Sequence, residues 1–174
     1  MLPVECWVSL GSNYQRSYQL ARALQALQAR FGPLRVSRTF ETQPVGIKVV
    51  SCAAFYNLVA GFTTSLRPGA VNAVLKEIEA NTTYLLPEDK STYVRALDLD
   101  LVSWNDTAGQ VDGLLLPYPN LLQHDFVLLP LAELVPHQRP AGFQQTYLEL
   151  WHEYAHPEQQ MQPVELNWQQ VNIN

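Results

Sequence analysis

The stretch "RALDLDLVSW", Arg95 to Trp104, alternates leucine with aspartate. A two-residue alternation of this kind suits a half-buried β-strand and not a helix. Leu97, Leu99 and Leu101 then point into a core, while Asp98 and Asp100 project side by side from the other face, their Cα atoms roughly 6.5–7 Å apart. Such a strand needs neighbours, and the chain supplies them in a definite order. Val4 to Leu10 is an apolar run ending in Gly-Ser-Asn, read as a buried strand closed by a turn. Leu20, Leu24, Leu27 and Phe31 fall at helical spacing, and Gly32-Pro33 stops that helix. Leu34 to Thr42 and Ala54 to Thr64 read as strands, with Cys52 in a loop between them. Ser65 and Pro68 open a second helix whose stripe is Val71, Val74, Leu75 and Ile78.

The order strand, helix, strand, strand, helix, strand predicts an α+β fold: a ferredoxin-like βαββαβ sandwich, its antiparallel sheet covered by helices on one face. Asn81 to Tyr93 has no apolar period and is expected to be a long loop of the kind that carries function. Beyond the last strand the expectations are a turn over 105–113, a helix near Phe143 to Tyr154, and an edge strand within "VELNWQQVNI". Residues 1–156 are taken as the domain and 157–174 as an extension, either an edge strand or a loose tail.

The 174 residues are 47% apolar and 16% charged, enough for a real core and too polar in every window to span a bilayer. The N-terminus lacks the pattern of a secretion signal, so a cytoplasmic protein is expected. A net charge of −5 disfavours nucleic acid, and a small-molecule ligand is the better expectation; oligomeric state stays open. Two cysteines give neither a disulfide framework nor a zinc spacing, and His137, His152 and His156 are not at metal-ligand spacing either.

Two adjacent carboxylates repel unless a cation joins them, and magnesium is commonly held by one or two carboxylates with phosphate oxygens completing its shell. From Asp98 and Asp100 alone the plainer reading, a solvated acidic face, is preferred. Arg95, three residues upstream, adds a guanidinium able to reach a phosphate held by the same metals.

Taken in order, "SLGSN" (9–13), "FETQPVG" (40–46), "FYN" (55–57), "IE" (78–79), "RALDLDLV" (95–102), "LPYP" (116–119) and "FVLLPLAELVP" (126–136) resemble the 6-hydroxymethyl-7,8-dihydropterin pyrophosphokinases of folate biosynthesis. The resemblance implies transfer of pyrophosphate from ATP to a reduced pterin, with two magnesium ions. It makes Asp98 and Asp100 metal ligands and Arg95 a phosphate contact. It also implies a pterin pocket in which Phe55 and Phe126 cover the ring, Asn57 bonds its edge, and Thr42, Gln43 and Val45 line the wall. Glu79, Leu101, Tyr118 and His124 fall on the nucleotide side.

The chain departs from the family pattern on that side. Thr83-Tyr84 stands where Gly-Arg is usual, Tyr118 replaces an imidazole, and His124 and Lys76 replace a frequent arginine and glutamine. An alternative is therefore a pterin-binding paralogue with weakened nucleotide binding, or one that acts on a related pterin.

Overall fold

The computed structural model describes residues 1–44, 51–81, 92–154 and 161–174; Val45, Thr83 and Tyr84 lie outside them. Strand β1 (Val4–Ser12) runs two residues past the expected turn, so Gly11 sits inside the sheet. Helix α1 (Arg16–Phe31) buries Leu20, Leu24 and Leu27 and ends at Gly32, whose φ of 84° favours glycine and whose N–H bonds the Gln28 carbonyl.

The strand expected over Leu34 to Thr42 divides into β2 (Arg35–Val36) and β3 (Thr39–Thr42). Ser37 causes the break: its hydroxyl accepts from the Val59 N–H at 2.9 Å, taking the place of a ladder carbonyl. Cys52 is not in a loop but in a short strand, β4 (Ser51–Cys52). Then come β5 (Phe55–Thr64) and α2 (Pro68–Ala80), which opens with Pro68 in its first turn rather than at Ser65. Strand β6 (Thr92–Tyr93) pairs in parallel with β4.

Strand β7 (Asp98–Trp104) is the leucine–aspartate segment. The turn expected over 105–113 is half of a hairpin, β8 (Gly109–Val111) and β9 (Leu114–Leu116), closed by Asp112-Gly113 with both φ values positive. Helix α3 (Asp125–Leu134) had no counterpart in the sequence reading, because Pro130 interrupts an apolar run without a polar face. The next helix, α4 (Tyr147–Tyr154), starts later than Phe143, and the edge strand β10 (Gln162–Val164) precedes most of the segment proposed for it.

The sheet order is β10-β3-β5-β1-β7, all antiparallel, with β2 also paired to β5. Its four principal strands follow the expected ferredoxin-like arrangement. Helices, however, cover both faces. Val8, Leu10, Leu58, Leu99 and Leu101 pack with α1 and α2. On the opposite face Trp7, Val59 and Val102 pack with Val127, Leu128 and Leu131 of α3 and Leu150 of α4. The additional helices follow the last strand of the βαββαβ unit, so that pattern alone gives no sign of them.

Candidate active site

The second face is covered only in part. Helix α3 sits over Trp7 and Val59, and beyond its first turn the same face opens into a cavity of about 190 Å³. The ladder dictates what lies on its floor. Gly11 pairs with Asn57 on one side and Asp98 on the other, while Ser9 pairs with Val59 and Asp100. Asn57, Gly11 and Asp98 therefore form one row across three strands, spanning about 10 Å at ordinary strand spacing. Thr42, Gln43 and Pro44 form one wall, Phe55 another, and Tyr118, His124, Phe126 and Val127 the side nearest α3.

Gly11 is needed where it stands. A Cβ there would come within 2.6 Å of Asn57 Oδ1. Asn57 is 6% exposed, and its Nδ2 donates to the Thr42 hydroxyl at 2.7 Å. That bond turns the amide so that Oδ1 lies over Gly11, toward the cavity. Phe55 and Phe126 are half-buried on the cavity wall, and Phe126 also packs against the core beneath α3. The His124 ring stacks on Phe126 with centroids 4.7 Å apart, and Tyr118 lies tilted against His124 at 6.3 Å. Burial pushes the His124 imidazole below its usual value, which favours the neutral ring.

At the other end of the row, Arg95 Nη2 donates to Asp98 Oδ1 at 2.8 Å. The Arg95 backbone is held by Asn13, whose side-chain oxygen accepts from the Arg95 N–H at 2.6 Å and whose own N–H bonds the Arg95 carbonyl at 3.0 Å. Lys76 Nζ stands 3.7 Å from Asp100 Oδ1. Burial, and then the negative charge of Asp98, raise the Asp100 carboxyl above its ordinary value, and Lys76 offsets this only in part. The Tyr118 hydroxyl is likewise raised, first by burial and then by Asp100.

Asp98, Asp100 and Glu79 thus outnumber Lys76 and Arg95, leaving a negative centre of hard oxygen donors suited to a divalent cation. Among the described residues no three His, Cys, Asp or Glu side chains converge on a metal position. Among the described residues the two aspartates are what this centre can offer an ion.

Nine of the residues singled out in the sequence meet at this cavity: Thr42, Gln43, Phe55, Asn57, Asp98, Asp100, Tyr118, His124 and Phe126. Arg95 reaches it through Asp98. The Leu101 side chain does not; it is packed in the core under α2. Glu79 is turned to the Leu99 N–H and Lys76 and does not line the wall. Val45 lies outside the described residues. Sequence reasoning gave no role to Ser9, Gly11 or Asn13, and named Lys76 only as a replacement for a frequent glutamine; the "SLGSN" match contained the first three, but their role depends on strand register.

The family model of 7,8-dihydro-6-hydroxymethylpterin-pyrophosphokinase (HPPK) matches residues 7–136. A 2-amino-4-hydroxy-6-hydroxymethyldihydropteridine pyrophosphokinase of Porphyromonas gingivalis is 33% identical over 138 residues, covering 77% of this chain and 92% of that protein. Its Bacillus subtilis counterpart is 30% identical over 131 residues, covering 74% and 76%. Among solved structures, a Plasmodium falciparum HPPK-DHPS with pteroate superposes with a TM-score of 0.69 at 15% identity, over 88% of this chain. This chain spans 42% of that larger one, and at such identity the likeness speaks for the fold alone. The family match, the bacterial relatives and the shared fold agree: this chain belongs to the 7,8-dihydro-6-hydroxymethylpterin-pyrophosphokinase family.

Proposed function

We propose that the chain transfers pyrophosphate from ATP to the hydroxymethyl group of 6-hydroxymethyl-7,8-dihydropterin, a step of folate biosynthesis that releases AMP. The observation that carries this reading is the row Asn57, Gly11, Asp98, which sets a group for the edge of a heterocycle and a group for a phosphate-bound cation on one floor. A flat ring lying over the bare backbone of Gly11 finds the Asn57 carbonyl at its edge and aromatic faces from Phe55 and Phe126. With one Nδ2 hydrogen donated to Thr42, the Asn57 Oδ1 over Gly11 is placed to accept from a ring N–H.

The hydroxymethyl oxygen then points toward Asp98 and Asp100 and attacks the β-phosphorus, its proton passing to solvent. The bond from that phosphorus to the α-phosphate oxygen breaks, and AMP leaves. Asp98 and Asp100 would hold magnesium together with the triphosphate; bound there, the ions supply charge neutralisation for the phosphoryl oxygens. Arg95, its backbone fixed by Asn13, is placed to exchange its bond to Asp98 for one to a phosphate. Catalysis of this kind is positioning and charge stabilisation, without a covalent nucleophile.

Tyr118 and His124 belong to the side of the cavity where nucleotide and pterin meet. Leu101 enters this reading only through its backbone, and Glu79 through its grip on β7. We place the catalytic unit in residues 1–156. Both substrates are small and soluble, which suits a cytoplasmic enzyme; among the described residues no helix is long and apolar enough to cross a membrane. The alternative, a pterin binder without transfer, is not favoured, since the floor joins the pterin end directly to the carboxylates.

Purified protein with magnesium-ATP and hydroxymethyl-dihydropterin is expected to release AMP, and Asp98→Ala or Asp100→Ala to lower the rate by at least about a thousandfold. No AMP at high enzyme concentration, with pterin binding intact by calorimetry, would transfer support to the binder.

A further inference from the structure

Lys76 reaches the carboxylate centre from outside the cavity. It projects from α2 around the outer edge of β7, where its Nζ donates to Glu79 Oε1 at 2.9 Å and to the Leu99 carbonyl at 2.8 Å. Glu79 Oε1 in turn accepts from the Leu99 N–H at 2.6 Å. Both backbone polar groups of Leu99, the residue between the two aspartates, are thus taken by one turn of α2. The ammonium is tied to two fixed acceptors and stands 3.7 Å from Asp100 Oδ1. An exposed lysine ordinarily samples many rotamers, and this one is held where its charge bears on Asp100.

We propose that Lys76 is a tethered counter-cation of the carboxylate pair, a positioning residue that neutralises part of the charge of Asp100 and so weakens its hold on a divalent ion. The inference rests on the pyrophosphokinase reading, in which Asp98 and Asp100 receive the metal. Its consequence is that free divalent ions bind this centre poorly, and the cation is retained chiefly when it arrives with phosphate oxygens. The same ammonium, fixed beside the centre, supplies positive charge from the helix side while Arg95 supplies it from the loop side.

The test is manganese binding followed by electron paramagnetic resonance, with and without a non-hydrolysable ATP analogue, on the wild type, Lys76→Gln, Lys76→Arg and the double variant Asp98→Asn/Asp100→Asn. Glutamine keeps a donor for the Leu99 carbonyl and loses the charge; arginine keeps the charge. Lys76→Gln is expected to bind manganese about three- to tenfold more tightly than the wild type in the absence of nucleotide. Lys76→Arg should remain within about twofold of the wild type, and added salt should shrink the glutamine effect. Equal affinity in wild type and Lys76→Gln overturns the proposal, as does an equal shift in the glutamine and arginine variants, which would mark a packing effect. Manganese binding that survives in the double aspartate variant would instead overturn the reading on which the proposal rests.

Discussion

At Asp100 the demands of folding and of the site oppose each other. Its folded carboxyl holds a proton more tightly than an unfolded one, through burial and the charge of Asp98. Ionised Asp100 therefore costs stability; the cost is absent well below the ordinary value of 3.8 and complete once the pH has passed the raised folded value. Asp100→Asn is expected to raise the melting temperature at pH 7 by about 1–3 °C, a gain that fades as the pH approaches that ordinary value. A lower melting temperature at pH 7 would contradict this account. Gly11→Ala acts in the other direction, on the ligand: the new methyl displaces the Asn57 amide from its bond to Thr42. Calorimetry should show pterin affinity reduced by about tenfold or more, and unchanged affinity would place the ring elsewhere. Asp98 and Asp100 were legible in the sequence because their neighbours alternate with period two. Gly11 and Lys76 were not: one acts through cross-strand register and the other by reaching around a sheet edge, and neither relation is local in sequence.

Among the elements, α1, α2 and β7 were legible because each carries one clear apolar face, matching the core they join. Helix α3 was hidden by Pro130 and by apolar residues on every side, and β8 and β9 are too short to show a period. Strand β10 depends on contacts beyond its own residues. It pairs with β3, and the chain after it lies on α1, where Gln25 Nε2 donates to the carbonyls of Trp168 at 2.8 Å and Val171 at 3.0 Å. Leu166 and Trp168 pack against the α1–α2 core. Gln25→Ala should cost about 1–2 kcal/mol, seen as a melting temperature lower by about 2–6 °C. Limited proteolysis should then release the segment after β10; an undisturbed melting curve would mean that the two bonds contribute nothing.

The whole molecule has two cores back to back through one sheet, and its two thiols report on them differently. Cys6 lies in the α1–α2 core, and burial pushes its thiol up to about 12. Cys52 is half-buried at the end of β4. A thiol reagent at neutral pH is expected to modify one cysteine in the native protein and the second only on unfolding. Rapid modification of both would mean that the first core opens readily. The sheet itself is assembled from distant parts of the chain, β7 against β1 and β10 against β3, with Gln162 opposite Glu41. Strand β3 runs directly into Thr42 and Gln43, the wall of the pocket. During synthesis, then, the outer edge of β3 stays open until β10, more than a hundred residues further on, has emerged, whereas Thr42 at its end is already paired with Phe55 of β5.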